Sequence, residues 1–327
     1  MKQFNTADLL DKGKDPGYPS DYLLSRIRGK KARLIQDWTP LVTAQEPLER
    51  LPDRHYQRSS GLRSPEGIWR ALLDEYHWVY YQMNGRLKDI FAPFFSYAEL
   101  RTLFICLRNL KEMKRARVKE MLSASLLSVE LTKMLADSAD EFAAVQAIEA
   151  KLRRLSGEFS GITEILRQKG LRGFEHELTK LYLSAVVRSG LDPVLQAFFM
   201  RLIDARNTLA LAKLLKLETP AEHPFIPGGT IDALRLKEIL HSRSRPDLER
   251  LLREMTGEEI ASADHIKLEA ALYRGITRSL KKAGRSPLSV GPILEYLWGC
   301  STEAMNLGVL CYARGMEQEL VAAELIR

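Results

Sequence analysis

A chain of 327 residues, 45% hydrophobic and 28% charged, has the composition of an ordinary globular protein with room for two or three domains. That excludes a disordered polymer, a fibrous repeat and a small disulfide scaffold. The net charge of +7 lies wholly within residues 1–120, which hold 22 Lys and Arg against 15 Asp and Glu; the other 207 residues hold 27 of each.

A basic excess of this kind suits nucleic acid, anionic lipid or an acidic protein. It gathers in "SRIRGKKAR" (25–33) and "KEMKRARVK" (111–119), and in the first run Arg26, Arg28, Lys30 and Lys31 are candidate interface cations. No apolar run approaches the roughly 18 residues that a membrane span needs. The opening "MKQFNTADLLDKGKDPG" has no apolar signal core, so the expected location is cytoplasmic. Cys106, Cys300 and Cys311 show no C-x-x-C spacing and are expected to be small, semi-buried thiols.

The elements follow in chain order. "SDYLLSRIRGKKARLIQDW" (20–38) starts a helix with Ser20 as N-cap and Asp21 at the positive end of the dipole. Residues 39–67 carry Pro40, Pro47, Pro52 and Pro65 and are expected to be a loop. "IWRALLDEYHWVYYQM" is helical, and residues 96–135 form either one long helix or two. Residues 137–155 place apolar side chains at 142, 145, 148, 152 and 155, a helical stripe. After "FEHELTKLYLSAVV" and "RLIDARNTLALAKLLKL" comes a second proline-rich loop, "ETPAEHPFIPGGT" (218–230), whose Thr230 is the expected N-cap of "IDALRLKEILH". "DHIKLEAALYRGITRSLKKAG" closes with Lys281, Lys282 and Gly284. Pro287 and Pro292 constrain the start of "ILEYLWGCSTEAMNLGVLCYARG". Sustained Val/Ile/Thr alternation is missing, so the expected class is all-α.

Within these helices one pattern recurs. Asp204 and Asn207 lie three apart on one face, and Glu303 and Asn306 repeat the spacing 99 residues later. Asn109 lies 98 residues before Asn207. Glu175 precedes Asn207 by 32 residues and Glu269 precedes Asn306 by 37, the longer turn "KKAGRSPLSVGP" accounting for the difference. The period predicts three related helical repeats, 1–125, 126–225 and 226–327. A short amide on an apolar helix can satisfy an orphan backbone group at the end of a neighbouring helix, and the acid beside it can hold an Arg. These residues are therefore expected to serve packing.

Chemistry is harder to find. Phosphate-binding glycine loops of either common spacing are missing. "HELTK" (176–180) puts Lys180 where a zinc-protease helix needs a second His, and an ammonium cannot ligate zinc. "GEFSG" (157–161) is one position off a nucleophile elbow. The six histidines are scattered at 55, 77, 176, 223, 241 and 265. No catalytic, cofactor or metal site is expected.

Several segments together carry a resemblance. "YLLSRIRGKKARLI" (22–35), "FEHELTKLYL" with "LIDARNTLALAKLLKLE" and "PFIPGGTI", and "SPLSVGPILEYLWGCSTEAMNLGVLCYARGMEQELVAAELI" resemble, in order and spacing, the C-type rotor component of the bacterial and archaeal V/A-type ATPases, known as the d component in the eukaryotic vacuolar enzyme. Gly228 and Gly229 match its Pro-Gly-Gly turn. Cys106 departs from the acid seen in the other two repeats, and Ser301 and Met305 replace a usual acid and Arg. The resemblance implies an all-α fold of three similar bundles around a pseudo-threefold axis, forming a funnel. It implies a non-catalytic coupler on the cytoplasmic face of the membrane, between the rotor ring and the D and F subunits of the central stalk. Small-molecule substrates and nucleic acid would not be partners. The rival readings are a helical-repeat nucleic-acid binder, suggested by the pI of about 9.2, and a free-standing helical scaffold.

Overall fold

The computed structural model describes residues 4–13, 17–44, 64–217, 225–260, 265–287, 289–313 and 316–327. Most of the first proline-rich segment, with Pro47, Pro52 and His55, and residues 218–224 of the second lie outside the described residues.

The chain is all-helical, as expected. Its α-helices are α1 (Ser20–Lys31), α2 (Thr39–Val42), α3 (Pro65–Gln82), α4 (Gly85–Lys111), α5 (Arg115–Ser123), α6 (Val129–Asp137), α7 (Glu141–Leu155), α8 (Ile162–Val187), α9 (Pro193–Leu214), α10 (Ala233–Ser242), α11 (Arg245–Thr256), α12 (His265–Ala283), α13 (Gly291–Tyr312) and α14 (Gln318–Glu324). Among the described residues the one β feature is an antiparallel bridge between Leu10 and Leu127. Two compact units emerge: Met1–Ser20 with Tyr76–Gln196, and Asp21–Glu75 with Ala197–Arg327.

In the first unit α4 is the central helix, packed on α5, α7, α8 and the 3-10 turn Thr6–Leu9. The Asn84-Gly85 pair, a dipeptide that often turns hairpins, instead opens this helix: the Asn84 side chain accepts the Leu87 N–H at 3.0 Å. By length and composition α4 could cross a membrane, which corrects the expectation that no run approaches that length. Its apolar window is mostly buried by protein, and Phe91, Phe95, Cys106 and Leu107 are fully enclosed. The long stretch 96–135 resolves into three helices rather than one or two, with breaks at 112–114 and 124–128. Aromatic edges fill this core: Tyr80 meets Phe95 at 5.1 Å, and the Tyr182 hydroxyl donates to the Pro93 carbonyl at 2.8 Å.

In the second unit α13 is buried almost all round, which is why its sequence shows so little amphipathic alternation. It packs on α12 and α14. α12 turns Leu268, Leu272, Ile276 and Leu280 inward at four-residue intervals and leaves Lys281 and Lys282 in solvent. Trp298 stands between Phe198 and Tyr273, and its indole N–H donates to the Thr277 hydroxyl at 2.9 Å. Thr230 is not the N-cap of α10, as its sequence position suggested. Asp232 caps the Leu234 N–H, and Thr230 is held elsewhere.

Candidate functional site

The recurrent asparagines occupy helix interiors, where their amides are poor helix formers and need another reason to be present. Asn207 lies on α9 and is 3% exposed; Asn306 lies on α13 and is 1% exposed. Each grips one residue outside the helices by both backbone groups. The Asn207 side chain donates to the Ile226 carbonyl at 2.8 Å and accepts the Ile226 N–H at 2.7 Å. Asn306 does the same to Ile326, with both bonds at 2.8 Å. An amide matches a peptide group donor for acceptor, so one side chain satisfies two buried backbone atoms. The partner is an irregular segment about twenty residues downstream, not the neighbouring helix end that the sequence suggested.

Asn109 behaves differently. It is half-buried on α4 and donates to the Ile105 carbonyl of its own helix at 2.9 Å. On the same helix, Glu99 does the anchoring: its carboxylate accepts the Leu126 N–H at 2.7 Å and the Ser125 hydroxyl at 2.8 Å. Burial pushes the Glu99 carboxyl above its ordinary range, and the bonds from Leu126 and Ser125 pull the other way. Glu99 is absent from the residues that the sequence singles out by repetition. Its signal is an acid flanked at four-residue intervals by Phe95 and Leu103, hence on an inward face.

The acids beside the clasps cap backbone N–H groups. Asp204 accepts the Thr230 and Ile231 N–H groups at 3.1 Å each, and the Thr230 hydroxyl as well. Gly228 sits at φ 98°, a left-handed value open to glycine. A β-carbon on Gly229 would lie 2.1 Å from Asp204 Oδ1. The Pro-Gly-Gly turn thus lets the backbone approach a buried carboxylate. Glu303 accepts the Ile35 N–H at 2.6 Å, tying the segment after α1 to α13.

The four candidate interface cations separate. Arg26 and Arg28 are exposed, with Arg26 near the Tyr22 ring and hydroxyl. Lys30 turns inward, and Lys31, though its side chain is 43% exposed, is held by an ion pair. Lys30 Nζ sits 2.8 Å from both oxygens of Glu75, which also accepts the Tyr296 hydroxyl at 2.8 Å. Lys31 pairs with the mostly buried Glu295 at 2.6 Å. These two lysines hold α1 within the second unit instead of presenting free charge. Burial, with the neighbouring Glu75 carboxylate adding, holds the Tyr296 hydroxyl far above its usual range. Burial likewise pushes the Cys106 thiol up to about 12 and keeps Cys300 protonated. "GEFSG" forms a short 3-10 turn ahead of α8, with Phe159 buried and Glu158 paired to Arg188.

These helices and clasps belong to a recognisable scaffold. Residues 52–322 match the family model described as the ATP synthase (C/AC39) subunit. The chain is a member of the ATP synthase (C/AC39) subunit family. Among curated proteins none matches. The family model spans α3 through most of α14, so it takes in Asn109, Asp204, Asn207, the Gly228-Gly229 turn, Glu303 and Asn306. This C/AC39 subunit is accordingly a peripheral component of a V/A-type rotary ATPase, and its all-helical fold fits that family.

Proposed function

We propose that this protein is the non-catalytic coupler of the rotor. It joins the membrane ring to the D and F subunits of the central stalk on the cytoplasmic face. Rotation then passes through it during ion-linked ATP synthesis or hydrolysis. The observation that supports this reading is the paired clasp of Asn207 and Asn306 within a family-matched helical body. A part that transmits torque must not shear. Reciprocal, buried amide–peptide pairs resist sliding more than apolar contact does, because a shift of one residue leaves two backbone groups unpaired. The 98- and 99-residue spacing of Asn109, Asn207 and Asn306 supports three related bundles, 1–125, 126–225 and 226–327, about a pseudo-threefold axis, with the clasp itself made by Asn207 and Asn306.

The test is affinity capture of the tagged protein from solubilised membranes. Recovery of ring and stalk subunits together is the expected result, and recovery of neither would end the reading. A refined version reverses only Arg26 and Arg28. Lys30 and Lys31 must be left alone, because their reversal would break internal ion pairs and mimic loss of an interface.

A further inference from the structure

The corner between α4 and α5 carries a feature that neither packing nor the clasps explain. Helix α4 closes with the Lys114 N–H donating to the Asn109 carbonyl at 2.8 Å and the Met113 N–H to the Leu110 carbonyl at 3.0 Å. This closure places residue 113 in the left-handed region, at φ 59°. Glycine is the usual occupant there, and α11 ends on Gly257 at φ 66°. Here the residue is methionine, conformationally disfavoured and 84% exposed. No burial offsets the strain.

Its surroundings are cationic. Lys111, Lys114, Arg115, Arg117 and Lys119 are all exposed, against two exposed acids, Glu112 and Glu120. Glu112 is engaged by Lys114. Val118 and Leu122 bury the inner face of α5 and leave Arg117 and Lys119 exposed, while Arg115 also donates to the Ala139 carbonyl at 3.0 Å.

We propose that this corner docks on an anionic phospholipid surface. Met113 enters the interfacial layer while the lysines and arginines meet headgroup phosphates. A protein partner would call for a contiguous apolar patch. A single flexible apolar side chain ringed by long cations instead suits a fluid, negatively charged layer that imposes no fixed geometry. The proposal stands apart from the coupling reading, because vesicles test it without ring or stalk.

The experiment is flotation of the purified full-length protein with phosphatidylcholine vesicles, with and without phosphatidylglycerol, at low and high salt. Binding should require the anionic lipid and weaken with salt. Reversing Lys111, Arg117 and Lys119 together should lower affinity roughly a hundredfold or more. Met113→Gly should lower it several-fold while raising the melting temperature, a pair of opposite changes that a damaged fold cannot produce. The idea is overturned by equal binding to neutral vesicles, by unchanged affinity in the reversed variant, or by retention on an acidic protein or nucleic acid without vesicle binding. Should the triple variant fold poorly, Met113→Gly and the single Lys119→Glu change decide the matter alone.

Discussion

Replacing Asn306 by Ala removes the grip on Ile326 and leaves a buried N–H and a buried carbonyl without partners. An unsatisfied buried backbone group costs about 1–3 kcal/mol, so the pair costs about 2–6. Two effects reduce this. Alanine is the better helix former by about half a kcal/mol. The segment after α14 can also move toward water, at the expense of unpacking Leu325 and Ile326, which are 0% and 7% exposed. The net expectation is a loss of about 2–4 kcal/mol. Arg274 still donates to the Leu325 carbonyl at 3.1 Å, so the strap should loosen locally rather than vanish. Hydrogen exchange at the Ile326 amide, with urea unfolding alongside, reads both quantities. Asn109→Ala is the internal control: its amide bonds to its own helix at a half-buried site, so its cost should stay below about 1 kcal/mol. If Ile326 keeps its protection in Asn306→Ala, or if the Asn109 change costs as much, the clasp is not what holds the C-terminal strap.

Other perturbations probe the remaining contacts. Gly229→Ala drives a β-carbon into Asp204 and should cost about 2–3 kcal/mol through displaced caps; a melting temperature equal to the parent's would contradict the close approach. For Lys30 and Glu75, whose side chains are 17% and 15% exposed, a Lys30→Met and Glu75→Gln double-mutant cycle should give a coupling of about 1–2 kcal/mol. A value near zero would make the pair incidental. Glu99 gives a pH signature. Its folded-state carboxyl holds a proton more tightly than the unfolded chain, whose value is near 4.5, so its stabilising contribution is complete below that value and is lost as pH rises through the raised folded value. Glu99→Gln should therefore raise the melting temperature relative to the parent more at about pH 8 than at about pH 5, and a constant difference would refute the assignment.

The sequence by itself determined the helices, because their 3.6-residue apolar spacing and their caps are local properties. It also marked Asp204, Asn207, Glu303 and Asn306 as a recurring pair of polar residues on apolar helices, which is where the two buried clasps lie. It did not say what they hold. Ile226, Ile326, Thr230 and Ile35 are backbone partners, and a backbone N–H carries no sequence signal of its own. Nor did it show that Lys30 meets Glu75, 45 residues away, or that Lys31 meets Glu295. A charge run looks the same whether its members face water or a distant carboxylate. Only tertiary packing decides which charges are enclosed, and it also decides that the apolar α4 is a protein core. Hydropathy measures what a helix shuns, whereas the neighbours that cover it are set by the rest of the chain.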